Sequence, residues 1–316
     1  MTILQAIILG IVQGLTEFIP VSSTAHLIFA SRVTHLFEGQ AARAEMTTAT
    51  IAVIQLGTLA AVFVYFARDI WAISAAFVRD HLALARGRLD TGGAGLRGLL
   101  AVLSPESRLG WLIIVGSIPI GTIGLIMKKQ IEGPWTKNLW PIATMMVVVA
   151  LLLVVAERVG SRRKGMEDLG LADALAVGFA QVLALMPGAS RSGSTIMGGL
   201  FAGERRETAA RFSFLLSIPA ITASGLLELK EAVEKLPAGS AVPLAVATVV
   251  SGVVGYASIW FLLRYLRTHS TAVFILYRVV VGIAIMLLLV LGAIRPSDNA
   301  TTPAQSATVV VSAKAN

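Results

Sequence analysis

Gly10 to Leu27 reads GIVQGLTEFIPVSSTAHL, and the fold turns on how this stretch is read. It sits in an apolar N-terminal region, yet it carries Gln13, Glu17, Ser22, Ser23, Thr24 and His26 around Pro20. A carboxylate, hydroxyls and an imidazole are costly in hydrocarbon unless they line a cavity or find partners. Pro20 lacks a backbone donor and disfavours helix at Ile19, and the run Ser22, Ser23, Thr24 can cap a new helix through Ala30. Thr2 to Ala30 is too short for two spans and too broken for one ordinary span. A re-entrant helical hairpin is the expected form, tolerable where protein or a cavity covers its irregular backbone. A single kinked span is the alternative.

The same texture returns at Gly178 to Thr195, GFAQVLALMPGASRSGST, where the charged member is Arg191. Gly10-x-x-Gln13 matches Gly178-x-x-Gln181, and Pro20 and Pro187 both precede Ser/Thr-rich turns, with a one-residue slip. Two broken polar segments, one with an acid and a histidine and one with an arginine, point to one anion-handling site built from two halves.

Composition sets the surroundings. Of 316 residues, 56% are hydrophobic and 14% charged, and the mean hydropathy is +0.79. Soluble chains carry about 25% charged residues. An all-α polytopic membrane protein follows. Six windows approach the roughly 20 apolar residues of a span: Ile51 to Phe66, Trp111 to Met127, Pro141 to Ala156, Phe212 to Leu227, Val242 to Leu263 and Ala272 to Ala293. The expected fold is six transmembrane helices plus two re-entrant hairpins, forming one membrane domain over residues 1–295. Trp71 to Leu84 is expected to lie in the interface, the TGGAG run at 91–95 to turn, and the Ser/Thr/Ala/Pro-rich tail at 296–316 to be disordered.

The net charge of +8 does not indicate nucleic acid, because the basic residues sit in connectors between spans. There they set topology and meet anionic lipid head groups. The absence of cysteine excludes disulfides and thiolate metal sites. The N-terminus lacks a basic n-region and reads as a retained membrane segment. Placing the Arg-rich connectors 68–109, 157–168 and 264–270 in the cytoplasm puts the acidic 228–240 loop, the 128–139 connector and both termini outside. The two hairpins then enter from opposite faces, as inverted repeats at about 1–157 and 170–293 would.

The chemistry follows from spacing. Gln13 and Glu17 share a helical face; Gln13 orients Glu17, supplies a neutral oxygen to a metal, or simply packs. Ser23 and His26, three apart, can reach one phosphate, and histidine can take a proton or a phosphoryl group. In PGASRSGST, residues 187–195, glycines permit a tight turn with exposed N–H groups at a helix N-terminus. Arg191 can clamp two oxygens, with Gly188, Ser190, Ser192, Ser194 and Thr195 as further phosphate-binding candidates. The set fits phosphoryl transfer from a membrane-embedded phosphate ester or anhydride. A divalent ion could bridge Glu17 and the phosphates, with Gln13 and substrate oxygens completing its ligation. The competing reading is a transporter or flippase of an amphipathic anion such as a polyprenyl phosphate. It explains the broken helices but needs no Ser23–His26 pair.

These motifs resemble the bacterial undecaprenyl-diphosphatase family, the BacA/UppP type associated with bacitracin resistance. The likeness rests on Gln13 to His26, Gln55 to Gly57 and Pro187 to Thr195, and it covers about residues 1–292. It implies an inner-membrane, multi-pass phosphatase with its active site toward the periplasm. The expected reaction converts undecaprenyl diphosphate to the monophosphate and inorganic phosphate, recycling the lipid carrier of peptidoglycan synthesis. It further implies dependence on Mg2+ or Ca2+, inverted re-entrant repeats and functional roles for Glu17, Ser23, His26 and Arg191. Membrane lipid and the lipid diphosphate are the expected partners, with room for a homodimer. Gln13 stands where the family often has an acid, which weakens a two-carboxylate metal model.

Overall fold

The structure, a computed structural model, describes residues 1–36, 43–89, 95–131, 138–235 and 239–297. Helix α1 (Ile3–Phe18) begins with a capping box, in which Gln5 N donates to the Thr2 hydroxyl and Thr2 N donates to the Gln5 side chain. It ends at Ile19, which is extended as the position before Pro20 requires. Helix α2 (Ser23–Val33) then packs back against α1. At 1.5 Å per residue these helices are about 24 and 17 Å long, short of the roughly 30 Å hydrocarbon core.

The chain continues through α3 (Arg43–Tyr65), α4 (Ala67–Ala85), α5 (Gly95–Val102), α6 (Pro105–Ile126), α7 (Lys128–Ile131) and α8 (Leu139–Val159). A second short pair follows: α9 (Leu171–Val182), extended by a 3-10 turn to Leu185, and α10 (Arg191–Phe201). Helices α11 (Arg206–Lys235), α12 (Ala241–Leu266) and α13 (Ala272–Val290) complete the fold. Among the described residues five helices are long and apolar enough to cross a membrane: Met46–Tyr65 of α3, α6, α8, α12 and α13. Two shorter apolar helices, Ile3–Phe18 and Leu171–Leu185, accompany them. The protein is therefore an all-α polytopic membrane protein.

The sixth expected window, Phe212 to Leu227, falls inside the 30-residue α11. That helix runs to Lys235, so residues 228–235 of the connector expected at 228–240 are helical. The Gly-rich turn at 91–95, except Gly95, and the tail beyond 297 lie outside the described residues. Just before the tail, the Arg295 carbonyl accepts from Arg32 and the Pro296 carbonyl from Leu139 N.

Each short helix leans on a long helix distant in sequence. α1 lies along α12, and a Cβ on Gly10 would sit 2.6 Å from the Ala247 carbonyl oxygen. α9 lies along α6, and a Cβ on Gly178 would sit 2.3 Å from the Gly116 carbonyl oxygen. Small residues let these backbones approach where lipid provides no hydrophobic drive for helix association. The two hairpins also share one apolar core. Phe18 of α1 meets Phe214 of α11 edge to face at 5.4 Å, in a cluster with Ile196, Met197 and Leu200 of α10. At the arginine-rich end, the Glu157 carboxylate accepts from Arg206 and from the Thr271 backbone and hydroxyl, tying α8 to α11 and α13.

Candidate active site

The two breaks, Ile19–Ser22 and Met186–Ser190, meet inside the protein. Each ends in a serine with positive φ, Ser22 at 79° and Ser190 at 69°, immediately before a helix. An L residue rarely takes this conformation, so the surrounding contacts must hold it. Gly188 also has positive φ, and a Cβ there would lie 2.1 Å from the Ile142 carbonyl oxygen, so only glycine fits.

Ser23 and Arg191 occupy the same slot, the first residue of the helix after each break. Both reach Glu17. The Ser23 hydroxyl donates to Glu17 Oε2 at 2.9 Å, and Arg191 Nη2 donates to Glu17 Oε1 at 3.1 Å. Gln13 Nε2 donates to Glu17 Oε2 at 3.2 Å and to Thr58 Oγ1 at 3.4 Å. Glu17 and Arg191 expose only 7% and 12% of their side chains, so their pairing is weakly screened and neither charge is left alone in a dry site. Gln13, Glu17, Ser23 and Arg191 thus form one constellation, with Glu17 and Arg191 joined across 174 positions of sequence.

His26 lies one turn further along α2. Its Nδ1 is 2.7 Å from the Ser22 carbonyl oxygen and its Nε2 is 2.7 Å from the Tyr277 hydroxyl, with the two rings stacked at 5.6 Å. A carbonyl can only accept, so Nδ1 carries the proton and Nε2 is the basic nitrogen, accepting from Tyr277. Ser23 is therefore placed with Glu17, while His26 is placed with Tyr277.

The second break is organised around its own hydroxyls. Ser190 caps α10 by accepting from Gly193 N at 3.2 Å, and its hydroxyl lies 3.2 Å from that of Ser192. The Ser192 hydroxyl reaches across to the Ile19 carbonyl oxygen at 3.4 Å. Thr195 turns away from the break, bonding the Arg191 carbonyl and the Ser213 hydroxyl. Three polar atoms at the site are buried without a protein partner: Arg191 Nη1, Ser194 Oγ and Gln13 Oε1. Orphan polar groups cost about 1 to 3 kcal/mol each unless a ligand or water meets them, and the two donors, Arg191 Nη1 and Ser194 Oγ, are what an anion-binding site leaves open.

One residue that holds the breaks together escapes motif reading. Arg278 of α13 is fully buried. Its guanidinium donates to the carbonyls of Pro20 at 3.3 Å, Gly188 at 3.1 Å, Ala189 at 2.9 Å and Met146 at 3.1 Å. Both breaks expose carbonyls that no helix can satisfy, and this one fork satisfies carbonyls from each. The signal in the sequence was a lone cation within the apolar run Ala272 to Ala293. Tyr277 and Thr58 were likewise missed, and neither carries a local signature.

Among the described residues no group of three or more His, Cys, Asp or Glu converges as a metal cluster. The oxygens available are those of Glu17 and the partnerless Gln13 Oε1. These two side chains could hold an oxygen-loving divalent ion only if other oxygens completed its shell.

Known proteins resemble this chain over most of its length. Residues 6–284 match the family model described as "Bacitracin resistance protein BacA". A curated protein named undecaprenyl-diphosphatase from Syntrophobacter fumaroxidans is 50% identical, covering 90% of this chain and 97% of its own length. Proteins of that name from Nocardia farcinica and Myxococcus xanthus are 46% and 44% identical, covering 93% and 94% of this chain and 98% and 92% of their own lengths. With a matched region that spans both hairpins and every residue of the constellation, the chain belongs to the BacA family of bacitracin resistance proteins.

Proposed function

We propose that the protein is an undecaprenyl-diphosphate phosphatase, releasing undecaprenyl phosphate and inorganic phosphate for reuse of the lipid carrier in peptidoglycan synthesis. The observation that carries this reading is the Glu17 carboxylate, bridging the Ser23 hydroxyl of one hairpin and the Arg191 guanidinium of the other. Relatives named for this activity, alike over nearly their whole length, support it.

The chemistry divides into two displacements. Glu17 Oε2 takes the Ser23 proton as Ser23 Oγ attacks the terminal phosphorus, and the bridging P–O bond breaks to release undecaprenyl phosphate. Arg191 and the 188–195 turn bind the non-bridging oxygens; Arg191 Nη1 and Ser194 Oγ are the partnerless donors there. Water then attacks the phosphoserine, giving a proton to His26 Nε2, while Glu17 Oε2 returns its proton to the departing Ser23 Oγ and inorganic phosphate leaves. A divalent ion, Mg2+ or Ca2+, on Glu17, Gln13 Oε1 and the phosphates would neutralise charge on the transferring group.

The finer architecture belongs to the same reading. Short, broken helices α1–α2 and α9–α10 act as re-entrant hairpins, and α3, α6, α8, α11, α12 and α13 as six spans in two inverted repeats. The reciprocal packing of α1 on α12 and α9 on α6 supports that pseudo-symmetry, as do the matched glycines Gly10 and Gly178. The arginine-rich ends of α8 and α12 face the cytoplasm, and the site opens to the periplasm of the inner membrane. A homodimer in the membrane and no role for nucleic acid complete the reading; cross-linking in vesicles tests the first.

The test is phosphate release from undecaprenyl diphosphate by the purified protein in detergent, with and without Mg2+. Glu17→Ala and Arg191→Ala should each lose about 100-fold to 1,000-fold or more in kcat. Wild-type rates in both variants would remove this site from the reaction.

A further inference from the structure

Away from the breaks, at the arginine-rich end, a cavity of about 160 Å³ lies between the end of α3, the start of α4, the first turns of α11 and the last turns of α12. Three guanidiniums line it, Arg211, Arg264 and Arg267, against two carboxylates, Asp69 and Glu207. Arg211 pairs with Asp69, and Arg267 Nε donates to Glu207 Oε1 at 2.8 Å. Arg264 is exposed and sits over the Trp260 ring at 5.8 Å, leaving one positive charge in excess at the cavity mouth.

The surface leading to that mouth is a continuous apolar stripe. Val249, Val253, Tyr256 and Trp260 are spaced four, three and four residues apart on α12, and they are 65%, 67%, 44% and 52% exposed. This is one helical face turned toward acyl chains, and Arg264 is its next member, four residues on. The order along the stripe is aliphatic, aromatic, then cationic, which matches the depth profile of hydrocarbon, interface and phosphate in one leaflet. We propose that the Arg211–Arg264–Arg267 cavity is a head-group site for an anionic phospholipid of the leaflet at that end, with acyl chains lying along α12. The apolar approach selects a lipid phosphodiester over free phosphate, and the excess positive charge selects an anionic over a zwitterionic head group. Nothing in the phosphatase reaction uses these residues.

The test is native mass spectrometry of the purified full chain with phosphatidylglycerol and phosphatidylcholine of identical acyl chains, with inorganic phosphate as a competitor. The wild type should retain phosphatidylglycerol preferentially. Arg264→Gln should lower that preference about fivefold, the worth of one interfacial cation. Glu207→Gln, which removes the carboxylate facing Arg267, should raise it; a misfolded protein gives no gain. Equal retention of the two lipids, ratios unchanged in both variants, or displacement of phosphatidylglycerol by millimolar inorganic phosphate would each overturn the proposal.

Discussion

The two breaks use one backbone for two chemistries. In each, a helix carrying a Gly-x-x-Gln pattern stops, a serine takes positive φ, and a second helix starts. Gln13 and Gln181 are both buried in the arms. The difference lies in the first residue after the break. Ser23 fills that slot on one side and Arg191 on the other, and both converge on Glu17. Repetition of the break supplies two helix N-termini, with their partial positive charge, to a shared site. Divergence at one slot then places a hydroxyl on one side of Glu17 and a guanidinium on the other.

Breaking the comparison at the slot itself should have the largest effect. Ser23→Ala removes the proposed nucleophile and should reduce single-turnover hydrolysis by about 10,000-fold, with no trapped phosphoenzyme. Arg191→Lys, which keeps the charge but loses the fork, should retain more activity than Arg191→Ala, with most of its loss in kcat. Full turnover by the Ser23 variant would move the attack to His26 or to water.

The next effect concerns what the breaks share. Arg278→Met leaves the carbonyls of Pro20, Gly188 and Ala189 unpaired in a dry interior. The expected cost is about 3 to 5 kcal/mol of stability, read as a large drop in thermal unfolding temperature in detergent. Because one side chain serves both breaks, the loss should also lower kcat. A stable variant with a native rate would show that the breaks hold themselves.

The far end of the second hairpin carries a titratable feature of its own. Glu204, in the turn joining α10 to α11, is fully buried with no partner for either carboxyl oxygen. Burial, and then the nearby Asp173, push its pKa up to about 8, while Lys164 opposes the shift. A carboxyl whose folded pKa is raised holds its proton when the unfolded chain has already lost it. Its stability contribution is therefore complete below about pH 4.5 and declines as pH rises toward about 8, where it levels off. Wild-type unfolding temperature should fall across that window, and Glu204→Gln should flatten the fall. Parallel curves would mean the carboxylate finds a partner on ionising.

Much of this was legible in the chain because membrane burial makes polar residues informative. Gln13 and Glu17 at helical spacing, the Pro20 break and the PGASRSGST turn, residues 187–195, marked both halves of the site. The pairing within the first half was not. Ser23 and His26 share a helix face, yet Glu17 at the end of the preceding arm reaches the serine, and Tyr277, 251 positions away, takes the histidine. Spacing describes neighbours on one helix, whereas a break lets the two arms of a hairpin select partners across it. Arg278 was hidden for a related reason: its partners are main-chain carbonyls, which any sequence supplies.

The smallest effect sharpens the comparison most. Ser22 and Ser190 are both strained by positive φ, but only Ser190 recovers a bond from it, through its cap to Gly193 N. Helix α2 has no side-chain cap from Ser22. Glycine relieves the left-handed penalty of about 1 kcal/mol at either position. At Ser22 only the added freedom of the unfolded chain opposes that gain, so Ser22→Gly should be neutral or stabilise the protein by a few tenths of a kcal/mol. At Ser190 the same term acts and the cap is lost as well, so Ser190→Gly should be less stable than Ser22→Gly by about 0.5 kcal/mol. Thermal unfolding of the pair under one condition reads the difference. Equal shifts would mean that the uncapped helix of the first break gains nothing from Ser22's strain beyond what the capped one does. Unequal shifts in the stated order would mean that the first break leaves its N–H groups free, as a helix end facing a phosphate should.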